Sequence, residues 1–588
     1  MRLYWWAPVA ASAAFLSSCG GGGVNSAGST PITSTPTPTA TNTTLLDLKA
    51  SQTFANAAAG VTTAFNLTNS TVISGTGAPE TLAVSYDAPS QSYTVTTSGR
   101  TQTFAPGDIK TTSTGETVYQ KTDGTNRDYL TLVKTPYTSA TQPKYVGLGY
   151  WQHNVVTGSR QDTLFDTFAY GLPTAASAIP RSGTASFGID VFGLATNPGS
   201  EPRIFEGHGS FSTDLLSGLF STNTYLTETG LLSGDGITGG GIQLQGAGKL
   251  GSDGTFAGNM LYGGVNGDVA GTLNGRFYGP AAEEIGAAFV GSNSSGATVN
   301  GAFTGQRDAS VPAANLTLTN MITSQLFYTD EALLTFTTFD GNAATPQART
   351  TTMTSQLNRS TDGSFTYGPG MSSLPGGTFS SASGVASADP NFTSYQQTIN
   401  GQTVKLDLYK PGGANTELAL TYASFGRWSS SSKNGVVTEA DQVYFAYGLE
   451  TPARLLSAKT GTGHYAGIAY GAGANQTTGA LYDVKGTSSF DVNFSQQSYT
   501  GALGLKGTST NGAPAADFGN FTFGGKLAAY TAESAADLMQ NGTALGTLTQ
   551  RFFGPDGEEI AGPFTVVAPD AAGHGLTAIA GVAVAKRQ

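Results

Sequence analysis

Cysteine occurs once in 588 residues, histidine four times, and charged residues make up only 11% of the chain. A chain with one cysteine forms no internal disulfide, so its stability must come from packing and hydrogen bonds. Cys19 stands at the end of the leader and leaves no thiol nucleophile in the body. His153, His208, His464 and His574 are scattered, no His-Glu-x-x-His occurs, and no glycine-rich phosphate loop is present. Basic residues are outnumbered, 28 against 39, and the net charge of −11 excludes nucleic acid or an anionic surface as the main partner. What the chain has in abundance is Gly (80), Thr, Ser, Tyr (24) and Phe (31), the composition of many short strands joined by turns.

The first residues read as a secretory signal: Arg2, an apolar run from Trp5 to Leu16, then small residues before Cys19. The run is too short to span a bilayer. Leu16-Ser17-Ser18-Cys19 resembles the lipobox of bacterial lipoproteins, in which the cysteine is lipidated before cleavage; the alternative is an ordinary cleaved signal with an incidental cysteine. Gly20 after the cysteine, by the same resemblance, favours outer-membrane sorting. Residues 20–43 carry no charge and little apolar surface, which predicts a disordered Gly/Ser/Thr/Pro tether. As a flexible coil it would hold the body about 25 Å from the lipid.

The remaining sequence is written twice. Gly271–Phe289 and Gly546–Phe564 share 11 of 19 residues at an offset of 275, including Gly279-Pro280 with Glu283-Glu284 and Gly554-Pro555 with Glu558-Glu559. Phe168–Thr174 matches Phe445–Thr451, Tyr119–Thr122 matches Tyr395–Thr398, and Gly301–Arg307 matches Gly581–Arg587. Trp151 and Trp428, the tryptophans outside the leader, stand 277 apart and are expected as core anchors, with ligand stacking the alternative. Alternation such as Thr184–Phe192 between turn signals predicts antiparallel meanders, with room for roughly eight strands from 141 to 308. Each Gly-Pro is expected to start a helical turn holding the glutamates.

Phe-Tyr-Gly-Pro-x-x-Glu-Glu-Ile-Gly-x-x-Phe, preceded by Tyr170–Thr174 and Ser182–Phe187, resembles the barrel of transferrin-binding protein B and related Gram-negative surface lipoproteins. The second copy departs at Gly461–Tyr465 and at Pro563. The resemblance implies an all-β fold of two tandem lobes, each a small β-rich handle domain plus an eight-stranded antiparallel barrel: 44–140, 141–308, 309–420 and 421–588. It implies a non-enzymatic, lipid-anchored receptor facing the cell exterior. Such a receptor captures an extracellular ligand, an iron- or nutrient-carrying macromolecule, for an outer-membrane transporter, and an assembly protein delivers it to the surface. No ligand-binding residue carries over from the family, and no cofactor or metal is expected. Two alternatives remain from other classes: a structural or adhesive surface lipoprotein, and a carrier of haem or another small ligand.

Two chemical readings compete with structural ones. Glu283-Glu284 and Glu558-Glu559 could be paired catalytic carboxylates, but adjacent residues point apart, whereas glycoside chemistry needs carboxyl groups converging about 5 to 9.5 Å apart; a structural cap is preferred. Asp123–Asp128 loosely resembles a calcium loop without its distal Glu, and is expected as a hairpin turn. A membrane-spanning barrel is disfavoured because the strands carry too many polar residues for a continuous apolar outer band.

Overall fold

In the computed structural model, residues 41–139, 141–341, 345–528, 533–569, 573 and 575–588 are described. Cys19 and nearly all of the expected tether lie outside them. The fold is all-β in two lobes, each a curled antiparallel sheet followed by a closed eight-stranded barrel. The first barrel runs from Thr184–Thr196 to Thr298–Arg307 and the second from Thr462–Asn475 to Leu576–Arg587. Each closes by pairing its last strand with its first, Arg307 opposite Phe187 and Arg587 opposite Tyr465.

The expected boundaries at 141 and 421 do not match this pairing. The hairpin Val146–Thr157 and Arg160–Gly171 belongs to the handle, where Arg160–Gly171 runs beside the long strand Gln52–Asn66 from Ala55↔Gly171 to Asn66↔Arg160. Ala423–Asn434 and Val437–Gly448 do the same beside Gln325–Phe339. The handles are therefore sheets of ten and nine strands, not small domains. The physical reason is that these hairpins are buried on both faces over much of their length. In the first lobe Leu148 and Tyr150 pack with Ala57, Ala59 and Val61 toward the barrel, while Trp151 and Phe168 fill the inside of the curled sheet with Phe54, Val84 and Phe104.

The barrels show the complementary pattern. Along Leu576–Arg587, Ile579, Ala583 and Ala585 point into the barrel, while Ala578, Ala580, Val582 and Val584 meet the handle. Small side chains on that outer row let the sheet approach closely. The remaining barrel walls alternate: in Leu219–Gly230, Phe220, Thr222, Thr224 and Leu226 are buried while Asn223 and Tyr225 are exposed. Apolar side chains fill the interiors and polar ones face outward, the reverse of a spanning barrel with an aqueous interior. Among the described residues no helix is long and apolar enough to cross a membrane.

No helical turn follows either Gly-Pro. Residues 279–282 and 554–557 form tight turns in which Gly279 and Gly554 have φ of +85° and +89°. A Cβ at Gly279 would lie 2.4 Å from Glu283 Oε2 and 2.6 Å from the Tyr145 ring, and Gly554 is similarly crowded by Glu558 and Tyr422. Left-handed backbone and lack of space both demand glycine. Ala282 and Gly557 take positive φ at the far end of the turn, so helical geometry is broken twice.

The two glutamates of each pair do different work. Glu283 accepts a hydrogen bond from the Ala281 N–H at 2.9 Å and Glu558 one from Asp556 at 2.8 Å, each closing its own turn. Glu284 accepts the N–H groups of Lys144, Tyr145 and Val146 at 2.8, 2.8 and 3.0 Å. Glu559 accepts those of Thr421, Tyr422 and Ala423 at 2.7, 2.8 and 2.8 Å. Each thus staples the first residues of the handle hairpin to the seventh barrel strand. Glu284→Ala leaves three sheltered N–H groups without an acceptor and is expected to destabilise its lobe by about 3 kcal/mol or more. Glu284→Gln, which keeps one acceptor oxygen, should cost less. Urea unfolding followed by tryptophan fluorescence reads this through Trp151, and equal midpoints for Glu284→Ala and the parent would refute the staple.

Candidate binding surface

At one end of the first barrel the loops 197–202, 231–235, 265–266 and 293–297 gather. The handle strand Thr71–Pro79 reaches the same end, where the Val72 N–H donates to Ser200 O at 2.9 Å and Gly199 N–H to Val72 O at 2.9 Å. Beneath the loops lies a buried ion pair, Arg203 with Glu228, N to O 3.0 Å. Glu228 Oε1 also accepts the Tyr262 hydroxyl at 2.6 Å and the Val265 N–H at 3.0 Å. Arg203 Nη2 donates to Asp235 O at 3.0 Å. Burial and the Glu228 charge push the Tyr262 hydroxyl far above its ordinary pKa, so it remains a donor. Glu201 accepts Leu232 N–H and Ser233 N–H, both at 3.0 Å, and fixes the loop from below. A buried ion pair adds little net stability, but removing one partner strands the other; here it sets loop position.

This end of the barrel exposes apolar side chains: Leu232 at 43% and Val265 at 43% on its loops, Ile237 at 39% at the start of strand Gly236–Leu250, and Tyr225 at 61% on strand Leu219–Gly230. The corresponding end of the second barrel exposes, among the described residues, Leu576 alone of its large apolar side chains. That difference marks the end of the first barrel as the candidate contact surface. Sequence reasoning did not single out these residues; Leu231-Leu232 inside a turn rich in Gly, Ser and Asp was the signal available.

The residues chosen from the sequence lie elsewhere. Gly279, Pro280, Glu283, Glu284, Gly554, Pro555, Glu558 and Glu559 sit at the handle–barrel junctions. There the duplicated segments meet in space: the Thr174 hydroxyl donates to Gly279 O at 2.7 Å and Thr451 to Gly554 O at 2.6 Å. Trp151 and Trp428 are fully buried in equivalent handle strands, each in its sheet's inner cluster. Trp151 Nε1 donates to Asp128 at 2.9 Å and its face carries the Arg100 guanidinium at 3.4 Å, whereas Trp428 Nε1 has no partner. Asp123 and Asn126 close a two-residue hairpin turn. His153 lies 3.0 Å from Asp128 and the exposed His464 2.7 Å from Asp491, while His208 lines a shallow pocket near Asp190. His574 lies outside the described residues. Among those described, no three His, Cys, Asp or Glu side chains converge as a metal site would require.

No family model and no curated protein matches the chain. Solved structures align along much of it at low identity. They include transferrin binding protein B of Haemophilus parasuis (15% identity, 78% of this chain and 85% of that one, TM-score 0.27). They also include isotype 1 transferrin binding protein B of Neisseria meningitidis (19%, 77% and 87%, TM-score 0.25) and the N-lobe domain of lactoferrin binding protein B of Moraxella bovis (13%, 43% and 99%, TM-score 0.21). At such identities and TM-scores the alignments fix no geometry, and the fold stands on its own strand pairing.

Arg100 bonds Asp166 at 2.6 Å beneath Trp151. Burial raises the Asp166 carboxyl from 3.8 to about 7, against the pull of Arg100. Because the folded value lies above the unfolded one, the contribution of this group to stability is full below about pH 4 and is lost as pH rises to about 7. Asp166→Asn should remove that slope, gaining on the parent between pH 4.5 and 7.5 in denaturant midpoint. Parallel curves for the two proteins would sink the assignment.

Proposed function

We propose that the protein is a lipid-anchored cell-surface binding protein of a Gram-negative bacterium. It captures an extracellular macromolecule, one that carries iron or another nutrient, on the exposed end of its first barrel and passes it to an outer-membrane transporter. The observation that carries this reading is the exposure of Leu232, Ile237, Val265 and Tyr225 at one barrel end, whose loops are fixed by Arg203, Glu228 and Glu201. Such a patch is unfavourable on a free surface and acquires its use when a partner covers it. The resemblance of Leu16–Cys19 to a lipobox, Gly20 after the cysteine and the uncharged stretch to residue 43 support an outer-membrane lipid anchor, with a dedicated assembly protein delivering the chain to the exterior.

The function is binding and not catalysis. The carboxylates that sequence pairs together are each committed to backbone N–H groups, and their tasks are mechanical. Low charge leaves weak long-range steering, so recognition rests on the contact itself.

The test is capture. The soluble body, residues 41–588, immobilised and challenged with serum and with conditioned growth medium, is expected to retain one dominant protein. The double variant Leu232→Asp, Ile237→Asp should weaken retention at least tenfold, since central apolar anchors contribute about 2 kcal/mol or more each. Retention of nothing, or retention indifferent to that variant, overturns the proposal.

A further inference from the structure

The duplication supplies an internal control for the handle–barrel junction. In the first lobe the matching part of that junction is filled by aromatic side chains: the ring centres of Tyr150 and Phe192 lie 4.9 Å apart, those of Tyr150 and Phe165 5.6 Å and those of Tyr137 and Phe192 5.2 Å, and Ile204 completes the cluster. Strand pairing identifies the counterparts in the second lobe. Trp151 and Trp428 face Leu130 and Leu406 in the same ladder position, so Arg427 stands where the first lobe has Tyr150, and Asp407 where it has Thr131. On the barrel side Phe187↔Phe211 corresponds to Tyr465↔Phe490, so Asp483 replaces Ile204 and Lys485 replaces Glu206.

The result is a cavity of about 190 Å³ between the second handle and the second barrel. That is well above the roughly 10–15 Å³ that one water needs. Arg427 forms its floor, holding Asp407 through Nε at 3.1 Å and Nη2 at 2.6 Å, while its Nη1 reaches no nearer than 3.9 Å to Asp483. At the rim Lys485 Nζ donates to the Tyr470 hydroxyl at 2.9 Å and meets Asp389 at 3.2 Å. Lys405 pairs with Asp407 at 3.3 Å. Three cations and three carboxylates thus surround one small space, walled by Phe392, Tyr444 and Tyr470.

Of these groups Asp407 alone is fully buried, while Asp483 and Lys485 stand at a solvent-facing rim. Where the first lobe fills the matching positions with Tyr150 and Ile204, the second keeps an open hollow lined by both signs of charge. We infer that the cavity binds a small zwitterion, a free α-amino acid, whose carboxylate is taken by Lys485 and by the side of Arg427 that faces Tyr444 and Asp483, and whose ammonium group is taken by Asp483 and Asp389. A lone anion or cation would upset the balance of the lining; a zwitterion preserves it, and the forked guanidinium suits a carboxylate. The aromatic walls leave room for an aliphatic or small polar side chain.

Isothermal titration of the two-lobe body at pH 7 and low salt tests this. The probes are alanine, serine, leucine, glutamate and lysine, with acetate and ethylammonium as half-ligand controls. The expected result is saturable binding of at least one amino acid with Kd below about 1 mM, no comparable heat from either control, and at least tenfold weaker binding in Lys485→Glu and Arg427→Tyr, which install the first lobe's residues. Should Arg427→Tyr misfold, Lys485→Glu decides, because that side chain is 57% exposed and its replacement leaves the core alone. Absence of amino-acid binding, acetate binding as tight as any amino acid, or binding unchanged in Lys485→Glu each overturns the inference. Loss of macromolecular capture at the first barrel would leave it untouched, so the two proposals fail separately.

Discussion

Glu284 and Glu559 each satisfy three consecutive backbone N–H groups of another domain from a single carboxylate. A strand entering a sheet leaves its first donors unpaired, and where those donors are sheltered the deficit must be met by a side chain. The acceptor here belongs to the barrel, roughly 140 residues later in the chain. Burial raises the pKa of both glutamates above the ordinary carboxylate value, and the three N–H groups pull it back down by stabilising the charged form, as expected of a carboxylate placed to accept from the main chain. Everything at the junction follows from holding that carboxylate in place. The Gly-Pro turn aims it, the first glutamate locks the turn, and the threonine of the handle's exit segment ties the turn's carbonyl.

That constraint explains the conspicuous identity between the two copies. The matches at 271–289 and 546–564 include the turn and the glutamate that build the staple, and the second matched segment, 168–174 with 445–451, carries the threonine that ties the turn's carbonyl. Where no such task exists the copies drift. Pro563 interrupts the ladder between Thr543–Phe553 and Glu559–Pro569, yet pairing resumes in the same register, Arg551↔Ala561 and Leu548↔Phe564. A gap of this kind is tolerable where the strand's other neighbour, Leu576–Arg587, stays paired throughout.

The repeat, the strand-rich class and the closed eight-strand units were legible because they leave local marks: alternation, turn residues and a duplicated motif. The handle boundary was not. Trp151 and its neighbours alternate like any barrel strand, and their place in the handle comes from pairing with Asn126–Val133 on one side and, through Arg160–Gly171, with Gln52–Asn66, about a hundred residues earlier. The helical turn expected after Gly-Pro failed because Ala282 adopts positive φ, which its residue type does not announce. The proposed contact surface was invisible for a related reason. Leu232 and Val265 are brought to one barrel end by strand pairing and by separate ties, the Leu232 N–H to Glu201 and the Val265 N–H to Glu228.

The lobes differ most where their common architecture leaves freedom. The staple and the inward rows of apolar side chains must survive in both, since losing either opens a lobe. The outer end of a barrel and the rim of the handle junction carry no such burden. In the first lobe the freedom is used at the barrel end, with a packed junction behind it; in the second it is used at the junction, with a barrel end that exposes little apolar surface among its described residues. Two specialisations at opposite places on one scaffold are what duplication allows once a first copy already meets the demands of folding, and they argue that the lobes are not redundant halves of a single binding surface.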